Sequence, residues 1–323
     1  MVQSTMRIIV SGASGFLGSW ICRILALSHD VTALVRPQSD TWRLEGIAGL
    51  SIINKPTEFW ASMVNHIEPN ALVMADWTGV DNSSRNDIAK QTMNIARIRS
   101  FTDGIRISSL ETVVALGSQA ELGPVEGIMR DSQPFNPTTQ YGKSKQETYE
   151  LLNDASNVKG FRLVWLRVFS CYGALSSRGW LLSDSIEKMK LGSPLDLTHG
   201  DQNWNFLHVY DFALSVKKLL ETPNINGKVN VGSYENVKIK DVIKTLSGIM
   251  KSSSELNFGA IPYRPDQVME LSPLCETMRN IHWEPIVRIE DGLRHTVDWH
   301  LGFRSALWLS TGNSLDIVLP NAP

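Results

Sequence analysis

The stretch Arg7-Ile-Ile-Val-Ser-Gly12-Ala-Ser-Gly15-Phe-Leu-Gly18 decides how the rest of the chain is read. Its apolar run predicts a buried strand, RIIVSG over 7–12, and the segment from about Phe16 to Leu27 has the character of a helix. The three glycines fall in the turn between them. In such a turn the first glycine makes the tight bend, the second lets backbone approach a pyrophosphate, and the third lets helix and strand pack closely. The helix N-terminus adds free N–H groups and positive potential. Gly12, Ser14, Gly15, Phe16, Leu17 and Gly18 are therefore the expected phosphate contacts of a dinucleotide cofactor.

Outward from this turn the pattern repeats. VTALV (31–35), LSII (50–53), ALVMA (71–75), TVVALG (112–117) and LVWLRVFS (163–170) read as further strands. Helical periods lie between them, for example Ile88 to Ile98 with apolar Ile88, Met93, Ile95 and Ile98. Unbroken apolar strands alternating with helices predict a parallel sheet covered on both faces, a doubly wound α/β fold. After about residue 171 the rhythm changes, with a Gly/Ser-rich stretch at 173–179 and helices expected near 180–191, 209–221, 238–251 and 289–301. The expected organisation is a cofactor-binding domain over 1–172 and a smaller α/β substrate lobe over 173–323, with later segments returning to the sheet.

Composition removes several function classes. The 323 residues carry 31 Lys+Arg and 33 Asp+Glu, a net charge of −2, with no basic stripe of the kind a dedicated nucleic-acid binder needs. A hydrophobic content of 42% with 20% charged residues argues against disorder. Cys22, Cys171 and Cys275 are widely spaced and form no CxxC or Cys/His cluster, so neither a disulfide framework nor a metal site is expected. No apolar run of about 18 residues is present, and no signal peptide is read at the N-terminus. A soluble cytoplasmic protein without membrane or nucleic-acid partners is expected.

The end of the second strand bears on cofactor choice. An acidic residue there would bind the adenosine ribose and favour NAD(H). This chain has Arg36, 18 residues after Gly18, and a guanidinium can fork onto a 2′-phosphate. NADP(H) is the preferred expectation, with NAD(H) possible.

Tyr141-Gly-Lys-Ser-Lys145 places a phenol and an ammonium on one helix face. A neighbouring lysine charge should lower the phenol pKa and make Tyr141 a proton donor and acceptor near neutral pH. Ser118 follows the strand TVVALG, at the carboxyl end of a parallel strand, where open α/β sheets bind ligands. Ser118, Tyr141 and Lys145 form the expected catalytic set, with Lys145 also reaching the nicotinamide ribose.

These motifs resemble the extended short-chain dehydrogenases/reductases, in the group of nucleotide-sugar epimerases, dehydratases and reductases. The resemblance covers roughly residues 7–300. It extends to Asn94, to LRVFSCYG (166–173), WNFLHVYDFA (204–213), KVNVGS (228–233), YRPDQV (263–268) and HWEPIVRIEDGLRHTVDWH (282–300). It implies a Rossmann-type sheet, a homodimer through helices near 84–100 and 139–155, and a nucleotide-sugar substrate. It also implies a pyrophosphate grip from Arg264, with Arg178 a second candidate in a loop, and Gln119, Trp77 and Thr78 beside the sugar.

Differences within the group point to the reaction. The 4,6-dehydratases carry Thr-Asp-Glu after the fifth strand, whereas this chain has Ser118-Gln119-Ala120 and so lacks the acid pair of dehydration. Glu121, one step further along, is expected to point elsewhere. ALGSQAELGP (115–124), DWTGVDNSSRND (76–87) and DQNWNFLHV (201–209) resemble reductases of the CDP-abequose and CDP-paratose synthase kind, which make 6-deoxy sugars for surface polysaccharide such as lipopolysaccharide. Together with Arg36 they favour an NADPH-dependent 4-keto reductase. A 4-epimerase with tightly held NAD is the alternative. Trp204 stands where many relatives carry a nucleotide-gripping arginine, which leaves the base open.

Overall fold

The computed structural model describes residues 5–81, 83–125, 127–264, 267–303, 307–308, 314–315 and 319. Pro265 and Asp266 of the YRPDQV stretch, Asn82 and most of the tail lie outside the described residues.

The first half alternates as its apolar runs predict. The order is β1 (Arg7–Ser11), α1 (Phe16–Leu25), β2 (Asp30–Val35), β3 (Ser51–Asn54), α2 (Trp60–Ile67), β4 (Ala71–Met74), α3 (Ile88–Gly104), β5 (Thr112–Ser118), a two-residue β6 (Ile128–Met129), α4 (Gln140–Lys159) and β7 (Arg162–Val168). The long helices begin where a side chain can take a free N–H. The Asp87 carboxylate accepts from Lys90 N at 3.1 Å and starts α3. The Thr139 hydroxyl accepts from Gly142 N at 3.1 Å and starts α4.

The later chain runs through β8 (Ser170–Tyr172), α5 (Leu181–Lys190), β9 (Leu195–Leu197), β10 (Asn203–Trp204), β11 (Phe206–His208), α6 (Val209–Leu220) and β12 (Gly227–Val231). It then adds β13 (Val237–Lys238), α7 (Ile239–Met250) and β14 (Leu256–Phe258), and ends its described helices with α8 (Glu276–Asn280) and α9 (Ile289–His300). The LVWLRVFS run, expected as one strand, is two. Its first part stays in the main sheet as β7, while β8 leaves it and pairs in parallel with β11.

Seven strands form a parallel sheet in the order β12-β7-β5-β4-β1-β2-β3. Except between β2 and β3, where a short 3-10 turn at Trp42–Leu44 intervenes, the crossovers between strands of this sheet carry α-helices to its faces. Successive strand residues therefore enter different cores. Ile8 and Val10 pack with Ile21 and Leu25 of α1 and Phe212 and Val216 of α6. Ile9 packs with Val64 of α2, Ile98 and Phe101 of α3 and Leu152 of α4. Each such side chain, taken from water to full burial, stabilises the fold by roughly 1.5–3 kcal/mol. Of the apolar residues expected along α3, Ile95 and Ile98 are buried, but Ile88 and Met93 are 67% and 69% exposed. Their positions turn them away from the stripe that faces the sheet.

Where the later chain meets α1, two buried histidines stand side by side. The His295 Nδ1 and His208 Nε2 atoms are 3.3 Å apart, edge-on to the Trp20 ring. Burial lowers both pKa values, that of His295 to about 4. The unfolded chain therefore binds protons first as pH falls from about 6.5, and folding stability is lost between about 6.5 and 4. Asp211, with its carboxyl raised to about 6 by burial, works in the opposite direction. A His295→Gln variant isolates the histidine contribution. Its urea midpoint is expected to fall less than that of the wild type between pH 7 and pH 5. Parallel declines would remove the pair from the account.

Candidate active site

Sheet topology gathers the site. The chain reverses its direction of strand addition between β1 and β4, and ligands of open α/β sheets bind at the carboxyl ends beside such a switch. Gly12 follows β1, Asp76 and Trp77 follow β4, and Ser118 ends β5.

The glycine turn is built as its spacing predicts. Gly12 has φ +68, and a Cβ there would lie 2.5 Å from Asp76 N. A Cβ on Gly18 would lie 2.2 Å from Gly12 O, so α1 packs directly on the turn. Gly15 N donates to Gly12 O at 3.0 Å. Helix α1 then opens with no side-chain cap and no acidic residue in its first turn. Its N-terminal field is left for an anion. Gly12, Ser14, Gly15 and Arg36 line one groove of about 370 Å³, together with Arg43, Asp76, Trp77, Thr78 and Arg97. Phe16 and Leu17 contribute the first backbone of the helix, while their side chains pack toward Trp20 and Val209. Arg36 is exposed at the groove edge. The glycine turn, the uncapped helix and the groove fit a dinucleotide.

Ser118, Tyr141 and Lys145 are brought together. The Ser118 hydroxyl stands beside the Tyr141 phenol, where it partly offsets the effect of burial on that group, and Ser118 Oγ accepts from Ala120 N at 3.2 Å. Lys145 Nζ donates to Leu116 O at 2.7 Å and stands 3.8 Å from the centre of the Trp77 ring and 5.8 Å from that of Tyr141. Trp77 meets Tyr141 edge-on at 5.9 Å and donates from Nε1 to Gln91 at 2.9 Å. Thr78 is fixed through its backbone, its N–H to Asn94 Oδ1 at 3.1 Å and its carbonyl from Asn94 Nδ2 at 2.8 Å.

The electrostatics correct one expectation. Burial pushes the Tyr141 phenol up to about 12 rather than down, and the cation that partly offsets this is Arg85, not Lys145. Burial also lowers Lys145 to about 7, against the opposing fields of Glu121 and Asp76. Desolvation disfavours phenolate and ammonium alike, so it outweighs the attraction expected from an i, i+4 pair.

Sequence reasoning missed the support behind Ser118. Glu121 is fully buried, and its carboxylate accepts Ser118 N at 2.6 Å and Trp165 Nε1 at 2.9 Å. It pairs with Arg167 Nε at 3.3 Å, both side chains being 0% exposed. Arg167 donates onward to the carbonyls of Asp131 and Gln133. Burial raises the Glu121 pKa, and the Trp165 and Arg167 contacts oppose that rise. Glu121 holds the Ser118 backbone through its carboxylate. Alternation along β7 could have shown this, because Arg167 is charged in a strand otherwise apolar from Leu163 to Val168.

A second cavity of about 320 Å³ lies in the later chain, lined by Leu181, Asp196, Gln202, Phe258 and Arg264 among others. Arg264 is exposed at its wall. Arg178 is 83% exposed, with Nη2 3.6 Å from Glu187 Oε2. Gln119 lies half-buried in the short helical turn after Ser118. Trp204 Nε1 donates to Ser170 Oγ at 2.7 Å.

Known proteins of similar sequence carry nucleotide-sugar names. A protein of Bacillus subtilis described as an uncharacterized UDP-glucose epimerase is 22% identical over 308 residues, spanning 90% of this chain and 97% of that one. A CDP-abequose synthase of Salmonella muenchen is 28% identical over 131 residues, 40% of this chain and 45% of that protein. In three dimensions the chain is similar to a UDP-N-acetylglucosamine 4-epimerase of Methanobrevibacter ruminantium, with a TM-score of 0.82 at 20% identity, over 92% of this chain and 99% of that one. The family profile described as "NAD dependent epimerase/dehydratase family" matches residues 8–232, and by that match the chain belongs to this family.

Proposed function

We propose that the protein reduces the 4-keto group of a nucleotide-linked 6-deoxy sugar, with NADPH as the preferred reductant. The observation that carries this reading is the gathering of Ser118, Tyr141 and Lys145 at the strand ends, with Trp77 of the dinucleotide groove packed against Tyr141 and Lys145. The bound nicotinamide supplies a hydride; the protein must supply a proton and a place for negative charge. A phenol raised to about 12 stays protonated at neutral pH, so Tyr141 is poised to donate to an oxygen as it becomes an alkoxide. The Ser118 hydroxyl, oriented by the Ala120 N–H that it accepts, stabilises the same oxygen. Lys145, freed from Leu116 O, holds ribose hydroxyls. Arg264 and the second cavity bind the nucleoside diphosphate, and this remote binding positions the ring. The first 172 residues thus serve the dinucleotide and most of the later chain serves the sugar nucleotide. The exposed Ile88 and Met93 on α3 would be covered in a homodimer through α3 and α4.

The chain's resemblance to CDP-abequose synthase and the position of Arg36 support reduction. A second reading, a 4-epimerase retaining NAD, is supported by the UDP-glucose epimerase that matches over nearly the whole chain. NADPH oxidation against CDP-, dTDP-, GDP- and UDP-linked 4-keto-6-deoxy sugars tests the proposal, with NMR of the product. Purified protein that carries NAD and interconverts sugar epimers without added cofactor would defeat it. Arg36→Asp is expected to weaken NADPH by about 10- to 100-fold relative to NADH, the scale of one lost charged contact. An unchanged ratio of the two dissociation constants would discard the 2′-phosphate role.

Among the described residues, no helix is long and apolar enough to cross a membrane.

A further inference from the structure

The dinucleotide groove contains a carboxylate, and that needs an explanation. Asp76 follows β4 and sits against the glycine turn, its backbone N lying 2.5 Å from where a Gly12 Cβ would stand. Its side chain lines the groove and is 11% exposed. It accepts a hydrogen bond from the Ser11 hydroxyl at the end of β1. A bare carboxylate at this position would oppose the α1 N-terminal field and repel a pyrophosphate.

Arg97 answers it from α3. Its Nη2 lies 2.9 Å from Asp76 Oδ2, and the same nitrogen donates to Asn94 Oδ1 at 3.0 Å. Asn94 and Arg97 are three residues apart and share a helix face. Asn94 is itself held by the Thr78 backbone, so the guanidinium is anchored on both sides. Arg97 lines the groove beside Asp76.

We propose that Asp76 and Arg97 form a charge-balancing unit of the cofactor groove: Arg97 neutralises Asp76 at the groove wall, and Asp76 holds Arg97 in place. This inference rests on the dinucleotide reading of the groove. The consequence is that the affinity of the groove for an anionic cofactor depends on Arg97 chiefly because Asp76 is there.

Direct binding separates the possibilities. NADPH and NADH dissociation constants are measured by calorimetry on the purified full chain, with thermal unfolding as a check on folding. Arg97→Gln is expected to weaken both cofactors by about 10- to 100-fold, as one uncompensated charge near a phosphate does at an effective dielectric near 20. Asp76→Asn added to Arg97→Gln is expected to recover most of that loss, and Arg97→Lys to keep most of the affinity. If Arg97→Gln binds as the wild type does, or the double variant stays as weak as the single one, the charge-balancing unit is wrong. If the wild type binds neither dinucleotide, the reading of the groove fails and the inference with it.

Discussion

Tyr141→Phe is expected to lower turnover by about two to four orders of magnitude while leaving the cofactor dissociation constant nearly unchanged. The substitution removes one oxygen and keeps the ring. The edge-on contact with Trp77 and the buried packing therefore remain. What disappears is the acid that meets the developing alkoxide, while the contacts that hold Ser118, to Glu121 and Ala120, are left in place. Steady-state kinetics on the best 4-keto substrate, with calorimetry for NADPH, provide the check. A protein that used this groove only to sense a dinucleotide would show no change in either measurement. Retained turnover would pass the proton to another group and dismiss the Ser118–Tyr141 pair as the catalytic centre.

Arg167→Leu is expected to cost about 3–5 kcal/mol of folding stability, because it strands the Glu121 carboxylate without its cation. The loss should be larger than that from any surface pair in the molecule. Arg130 and Glu276, with side chains 56% and 35% exposed, should contribute only about 0–1 kcal/mol. A buried ion pair is not in itself a source of stability; what is costly is breaking one. Glu121→Gln is the gentler change, since the amide oxygen can still accept from Ser118 N. Urea unfolding followed by tryptophan fluorescence measures both. A loss under about 1 kcal/mol for Arg167→Leu would mean that water reaches Glu121 or that the carboxyl is already protonated. Effects on the site should follow stability here, because the same carboxylate positions the Ser118 backbone.

The sheet was legible in sequence because a parallel strand buried on both faces has no alternation to hide it. ALVMA and TVVALG could be little else. The glycine turn was legible because its demands are steric, and the Cβ distances at Gly12 and Gly18 show them directly. The pairing of Tyr141 with Lys145 was legible because i, i+4 on a helix is a local relation. The groups that surround it were not. Glu121 meets Arg167 only because β5 lies beside β7, a pairing across 46 residues. Asp76 meets Arg97 only because α3 packs back over the end of β4. Charge also misled where burial decided: the lysine expected to acidify Tyr141 is itself desolvated.

The seventh strand of the sheet has a consequence for how this chain is made. β12 pairs with β7 through Gly227–Val231, about sixty residues after β7 ends. Until those residues leave the ribosome, β7 is an open edge of apolar residues with its backbone groups unpaired. The α6 helix that covers this side of the sheet emerges only shortly before. A nascent chain halted near Tyr172 would hold a complete glycine turn, Ser118, Tyr141 and Lys145, yet would be sticky along one border. Fragments expressed as isolated cofactor domains should therefore aggregate unless they run past Val231, and cotranslational chaperones have a defined interval in which to act.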